Sequence, residues 1–391
     1  MTSQTLAGKQ IVIGVTGSIA AVETVKLIHA LRRKGAEVIP VMSAAAQGIL
    51  HPDALTYASG HPVITRLSGA VEHVTYCGDG GSAALLLVAP CTANTIGKIA
   101  CGIDDTPVTT FATTALGSGT PLVLVPAMHH SMYRHPAVRG NIETLKKWGV
   151  VVVDPVIEEE KAKIAGTDEI VLYCERAVLG RPLQDRRVLI TSGQCREPVD
   201  DVRVLTTRSS GRMGRELALQ AFRLGADVTI VHRDTVPCVK NIPIETAGEM
   251  REAVLRSLRE NGADYYISAA AISDFAPKRM KGKIPSGKPV TLDLEPLPKI
   301  LDEVKEAYTT TIIAFKIGDA PEKQVEAMLE HGVAMVVTNT PENMGSDHGE
   351  YVCMTDSGKV LVSGTKDEIA AALWDLILKL VPVRRDSSTK K

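Results

Sequence analysis

Two doubly wound α/β domains, each on a mostly parallel sheet, are what this sequence predicts. Three observations carry that expectation. Short apolar runs alternate with helical stretches along the chain, the signature of repeated β-α-β units. Alanine, valine, isoleucine and leucine are abundant while aromatics make up only 4% of the residues, which suits strands buried on both faces. Finally, one strand–turn–helix stretch, Arg186 to Gly214, divides the chain into one α/β unit before it and a second after it.

The length of 391 residues gives room for about two domains with a substantial core. Lys plus Arg (44) nearly balances Asp plus Glu (45), so bulk charge points to neither nucleic acid nor an anionic membrane. No run of about twenty apolar residues is present, and Met1 to Gln10 lacks the basic and apolar regions of a secretion signal. Seven scattered cysteines with no paired spacing argue against a disulfide framework or a zinc site. The expected setting is cytoplasmic, with reduced thiols.

In the first half, Gln10 to Val15 reads as a buried strand. Thr16-Gly17-Ser18 turns from it into an amphipathic helix that reaches Lys34 and stops at Gly35. Ala36 to Met42 is the second strand and Ala83 to Ala89 the third. The third feeds Pro90-Cys91-Thr92-Ala93-Asn94-Thr95, where hydroxyls and an amide stand at helix-capping positions. Pro121 to Val125 is a further strand, followed by Pro126-Ala127-Met128-His129, and Val150 to Val153 closes the series. Three strand ends thus deliver small polar residues to one sheet edge, where open α/β sheets bind ligands. The first turn is not the spaced three-glycine pattern of dinucleotide sites. His73 stands alone before the third strand as an ionisable candidate.

Gly180 to Asp185 is the linker. In the second half, Val188 to Ile190 leads through a Gly/Pro/Asp-rich loop to Ser209-Ser210-Gly211-Arg212-Met213-Gly214, which opens a helix ending at Gly225. Such a turn aims free backbone N–H groups and the positive helix end at one point, suiting a phosphate. Ala226 to His232 is a strand, Glu245 to Glu260 a helix capped at Thr246, and Tyr265 to Ala269 a strand entering Ala270 to Phe275. Pro277 to Lys288, basic and poor in core residues, reads as a mobile loop, either a solvated hairpin or a phosphate-clamping lid. Ile312 to Lys316 and Ala334 to Val337 are further strands. Thr365 to Leu380 is an amphipathic helix, and Arg384 to Lys391 a polar tail.

Gly17-Ser18-Ile19-Ala20, the isolated His73, Ala89 to Thr95 and Pro126-Ala127-Met128 resemble the flavin-dependent cysteine decarboxylases. The second half resembles the phosphopantothenate–cysteine ligases, and the order of the halves resembles the fused enzymes of coenzyme A biosynthesis in an archaeal-type variant. The resemblance implies two Rossmann-like domains, the first flavoprotein-like: a decarboxylase over residues 1–184 and a ligase over 185–391. It implies FMN held by Gly17, Ser18, Ser43, Thr92, Ala93, Asn94 and Met128. His73 would serve the oxidation of the cysteinyl thiol, which acidifies the neighbouring carbon for loss of CO₂. In the ligase half it implies CTP or ATP, with Mg²⁺, activating 4′-phosphopantothenate for attack by cysteine. Ser210, Gly211, Arg212, Met213 and Gly214 would hold the triphosphate, Ala270 and Asp274 the base and ribose, Phe315 the base, and Lys283 would lie in the closing loop. No metal ligand can be named.

The chain departs from the family's pattern at four places. His129 replaces an asparagine that holds the substrate carboxylate, and Glu158 to Gly166 lacks the cysteine that acts as acid. Lys161 or Lys163 would then donate the proton. Thr207 replaces an asparagine, and Lys283-Ile284-Pro285-Ser286 replaces a denser lysine run. Family resemblance further implies homo-oligomers, with ligase dimers and trimers of the flavin domain whose sites lie at subunit contacts. The alternative is an active ligase fused to a flavin domain that has lost its decarboxylase activity or become a regulatory module.

Overall fold

In the computed structural model the described residues are 4–158, 160–287, 289–318, 322–341 and 345–380. The chain separates into two compact units, Met1–Gly180 and Arg181–Lys391.

The first unit contains β1 (Gln10–Val15), β2 (Glu37–Met42), β3 (Leu85–Cys91), β4 (Leu122–Pro126), β5 (Met128–His129), β6 (Val151–Val152), β7 (Val156–Glu158) and β8 (Lys161–Lys163). Five of them form a parallel sheet in the order β2-β1-β3-β4-β6. Alternation along β1 divides the core between the two faces. Ile11, Ile13 and Val15 pack with Leu27, Ile28 and Leu31 of the helix Thr24–Arg33. Val12 packs on the other side with Val108 and Phe111 of the helix Pro107–Ser118. Each such fully buried side chain contributes about 1.5–3 kcal/mol relative to exposure.

The segment Glu158 to Gly166, a charge run in the sequence, has more structure than its composition suggests. β7 and β8 form a hairpin, and β8 pairs antiparallel with β5, setting Lys161 opposite His129.

The second unit contains β9 (Arg187–Gln194), β10 (Arg196–Pro198), β11 (Val204–Thr206), β12 (Asp227–His232), β13 (Lys240–Pro243), β14 (Tyr265–Ala271), β15 (Phe275–Pro277) and β16 (Leu294–Pro296). It continues with β17 (Thr311–Ile317), β18 (Met335–Asn339), β19 (His348–Thr355) and β20 (Gly358–Thr365). Its main sheet runs β13-β12-β9-β14-β17-β18-β19-β20. Parallel pairing holds from β13 to β18, and the last two strands are antiparallel. That antiparallel end extends the expected parallel sheet. Along β20 Gly358 to Leu361 are exposed, so the strand offers no buried apolar pattern to read.

The helix Arg212–Arg223 and the C-terminal helix Lys366–Leu380 cover one face. Trp374 is fully buried there, donates from Nε1 to the Leu217 carbonyl at 2.9 Å, and stands edge-on to Tyr265. Thr246 caps the helix Ala247–Asn261 in a capping box with Glu249, replacing two orphan N–H groups' water partners with side-chain oxygens. Residues 384–391 lie outside the described residues.

The basic stretch after Pro277, expected as a mobile loop, is anchored as far as Ile284. Asp200 and Asp201, in the turn between β10 and β11, hold it. Asp200 accepts from the amides of Ile284 at 2.9 Å, Val202 at 2.8 Å and Arg203 at 2.6 Å, and from the Arg203 guanidinium at 2.5 Å. Asp201 accepts from Arg279 at 3.0 Å and from the Gly282 amide at 3.1 Å. The Ile284 amide foremost, then those of Val202 and Arg203, holds the Asp200 carboxyl far below the usual carboxylate range. A depressed carboxyl contributes stability fully above its unfolded value, near pH 4, and loses it as pH falls toward the folded value. Asp200→Asn is therefore expected to free the segment at neutral pH. Trypsin should cut after Lys281 and Lys283 several-fold faster, and an unchanged cleavage rate would show that the anchor lies elsewhere. Lys288 lies outside the described residues.

Candidate active sites at two sheet switch points

In an open α/β sheet the ligand crevice lies where neighbouring strands send their connections to opposite faces. The first sheet has that switch point between β1 and β3. Thr16 fastens the two strand ends together: its hydroxyl donates to the Pro90 carbonyl at 2.8 Å and accepts from the Thr92 amide at 3.0 Å. Ser18 caps the short turn of helix Ile19–Glu23, and Thr92 caps the helix Ala93–Ala100. Gly17 is required by space. A Cβ there would lie 2.6 Å from the Ala45 Cβ and 3.3 Å from the Ala45 carbonyl carbon.

Beside these turns opens a cavity of about 480 Å³ lined mainly by apolar atoms. Gly17, Ser18, Thr92, Ala93, Met128 and His129 meet around it. Ser43 is buried just behind, capping the helix Ala44–Gln47 and donating its amide to the Val15 carbonyl. Asn94 is exposed and outside the lining; His73 is half-buried and also lies outside it. His73 lies in the helix Glu72–Cys77, edge-on to Phe111, with a buried Nδ1 that has no hydrogen-bond partner.

Lys161 and Lys163, named from the sequence as alternative proton donors, both line the wall, and Met132 and Ala162 join them unexpectedly. The charge run around Ala162 gives no hint that β8 pairs with β5. Cys91 adjoins Thr92 but is fully buried, and burial pushes its thiol well above the ordinary value. It is a core residue rather than a nucleophile.

The second sheet has its switch point between β9 and β14. Gly211 adopts a left-handed conformation (φ 72°) as the cap of the helix Arg212–Arg223, and Ser192 donates to its carbonyl at 3.0 Å. Gly214 rests on β9: a Cβ would overlap Ser192 Oγ and stand 2.5 Å from Ser192 Cβ. Helix and strand can approach this closely only with glycine here.

A cavity of about 80 Å³ opens on the β14 side, where Ser210, Gly211, Arg212, Met213, Gly214, Ala270 and Phe315 come together. Tyr351, Asn339, Gly345 and Lys366 complete its wall and were not expected. Tyr351 lies on β19 in the antiparallel end of the sheet, which no sequence pattern announces, and Lys366 opens the C-terminal helix, whose amphipathic pattern does not show that its first residue reaches this cavity. A second cavity of about 150 Å³ lies on the β12 side of the same turn, with Arg215, His232 and Arg233 in its lining. Asp274 and Lys283 are exposed and line neither cavity. Among the described residues no group of three or more His, Cys, Asp or Glu side chains is gathered to hold a metal, and no helix is long and apolar enough to cross a membrane.

Fold and cavities define a two-module α/β protein with a cavity beside the strand-to-helix turn at each switch point. A flavoprotein family model matches residues 1–179, and that of the DNA/pantothenate metabolism flavoprotein C-terminal domain matches residues 183–381. The coenzyme A biosynthesis bifunctional protein CoaBC of Thermococcus kodakarensis is 46% identical over 97% of this chain and 97% of that protein. Its namesake from Methanocaldococcus jannaschii is 33% identical over 97% and 96%. The solved C-terminal domain of a CoaBC protein is 28% identical, covers 51% of this chain and 97% of its own, and has a TM-score of 0.43. The chain belongs to the family of coenzyme A biosynthesis bifunctional proteins.

Proposed function

We propose that the second unit joins cysteine to 4′-phosphopantothenate using CTP or ATP, and that the first unit converts the product to 4′-phosphopantetheine with FMN. The observation that carries the reading is the cavity at each switch point beside a strand-to-helix turn, in a chain whose family is bifunctional.

In the ligase half, the substrate carboxylate attacks the α-phosphorus and pyrophosphate leaves. Cysteine's amine then attacks the acyl carbon, loses a proton and releases the nucleoside monophosphate. The amides of Ser210 to Gly214 and the Arg212 guanidinium offer donors for the phosphates. Phe315 packs the base beside Ala270; Asp274 and Lys283 lie outside the cavity, so contact of the first with the ribose and of the second with the developing charge requires their segments to close over the bound nucleotide. Mg²⁺ would accompany the triphosphate and neutralise part of its charge, with no ligand set among the described residues dedicated to it.

In the flavin half the residues fit the group. The turn at Gly17 leaves no room for a side chain, the cavity is within the size of small-molecule sites, and Ser18 and Thr92 place hydroxyls at its rim. Bound FMN supplies the two-electron exchange with the cysteinyl carbon and sulfur, which the protein cannot. His129 donates to the substrate carboxylate. Lys161 stands opposite His129, whereas the Lys163 ammonium is engaged by Glu158 at 2.9 Å. Lys161 therefore supplies the proton for the final reduction. The reading of flavin-domain trimers with sites at subunit contacts draws support from His73 lying outside the cavity of its own chain and from exposed Ile19 and Tyr57. His73 then serves a neighbouring copy's substrate.

The test is a coupled assay with 4′-phosphopantothenate, cysteine, Mg²⁺ and either CTP or ATP. Both pyrophosphate and CO₂ are expected, from a yellow protein. Pyrophosphate without CO₂ would mean a flavin domain that has left the decarboxylase role. Within that assay, Lys161→Met is expected to slow 4′-phosphopantetheine formation by about a hundredfold or more, the scale of a lost general acid. Lys163→Met should cost far less, and equal rates for the two variants would remove Lys161 from the mechanism.

A further inference from the structure

Two cationic side chains and a helix N-terminus meet at the cavity on the β14 side of the second unit. The helix start at Arg212 aims its free amides into it, and Arg212 and Lys366 both line it. Among the described residues no aspartate or glutamate lines that wall. Lys366 is 7% exposed, unusual for a lysine. Its ammonium donates to the Tyr351 hydroxyl at 2.5 Å and lies 4.6 Å from the centre of the Tyr351 ring. Asp347 meets Arg212 at 2.5 Å, its charge also acts on Lys366, and its backbone carbonyl accepts from the Lys366 amide at 3.0 Å.

Resting on the ligase reading, we propose that Lys366 is a phosphate-binding residue of the nucleotide site, facing Arg212 across the triphosphate. The helix N-terminus and Arg212 then meet one side of the polyphosphate, and the ammonium at the head of the C-terminal helix meets the other. The Tyr351 ring, edge-on to Phe315 with centroids 6.3 Å apart, joins the wall on which the base packs. The antiparallel end of the sheet is thereby part of the nucleotide site and not an appendage to the fold. Burial first, and then the neighbouring Arg212, lowers the Lys366 pKa. A bound polyanion reverses that pressure, because an opposite charge at hydrogen-bond distance favours the protonated amine.

The experiment compares the full-length protein with Lys366→Met, measuring equilibrium binding of Mg·CTP, Mg·ATP, cytidine and adenosine by titration calorimetry. Losing one charge-assisted contact is expected to weaken the preferred triphosphate by about ten- to a hundredfold, with the parent nucleoside unaffected. If the methionine variant does not fold, Lys366→Gln carries the test, since its amide can still donate to the Tyr351 hydroxyl. Triphosphate affinity equal to that of the unaltered protein, in a folded variant, would overturn the assignment and leave Lys366 a packing residue. A matched loss for the nucleosides would overturn it too, because the defect would then not be at the phosphates. Absence of triphosphate binding by the unaltered protein would instead sink the ligase reading on which the inference stands.

Discussion

A Gly17→Val protein is expected to purify colourless while still releasing pyrophosphate at its normal rate. The added Cβ would lie 2.6 Å from the Ala45 Cβ, with the Ala45 carbonyl carbon and oxygen at 3.3 and 3.4 Å. None of these atoms belongs to a flexible side chain that can swing away. Either the turn after β1 or the helix Ala44–Gln47 must move, and each carries a residue expected at the cofactor, Ser18 in one case and Ser43 in the other. Forcing bulk into such a contact typically costs about 1–3 kcal/mol. The core beneath, from Ile11 to Val15, is untouched. Flavin absorbance per mole of protein reads the result. Full flavin content would mean that this turn does not hold the cofactor.

The complementary experiment is Gly214→Ala, expected to lower pyrophosphate release about a hundredfold, or roughly 2.7 kcal/mol of activation free energy, with flavin content unchanged. The new methyl group would overlap Ser192 Oγ and lie 2.5 Å from Ser192 Cβ. The helix Arg212–Arg223 must therefore lift from β9, carrying Ser210, Gly211 and Arg212 away from the place where phosphates are met. Displacements of about an ångström suffice for losses of this size when positioning supplies much of the catalysis. Combining the change with Ser192→Gly removes both clashing atoms and should restore most of the rate, as expected for directly coupled sites. A double variant as slow as the single one would show that the defect is not this contact.

The elements that positioned themselves by local chemistry were legible in the sequence. β1 begins and ends as its apolar run does, Gln10 to Val15, and the Thr246 cap was visible from its hydroxyl ahead of a helical pattern. Turns such as Gly17-Ser18 and Ser210 to Gly214 declare themselves because a strand must meet a helix there. What was illegible depends on distant partners. Glu158 to Lys163 reads as a solvated run until β5 arrives to pair with it. The outer strand β20 of the β19–β20 ribbon leaves its apolar residues Val360 and Leu361 exposed, so no in-out alternation marks the ribbon and Tyr351 stayed hidden with it. The anchoring of the 279–284 stretch hangs on Asp200, some eighty residues earlier, whose burial no local pattern announces. His73, Asp274 and Lys283 took their roles from resemblance, and none lines the three cavities at the switch points.

The two sheets also differ in the order of their strands, β2-β1-β3-β4-β6 in one and β13-β12-β9-β14-β17-β18 through the parallel part of the other. The difference is one edge strand: with β13 left out, both orders place the first strand second, its successor outside it and the later strands in sequence on the other side. The two halves are wound on one plan, so strand order does not set them apart by descent. In evolutionary terms the second unit is that common plan with strands added at its borders, β13 at one and the β19–β20 ribbon at the other.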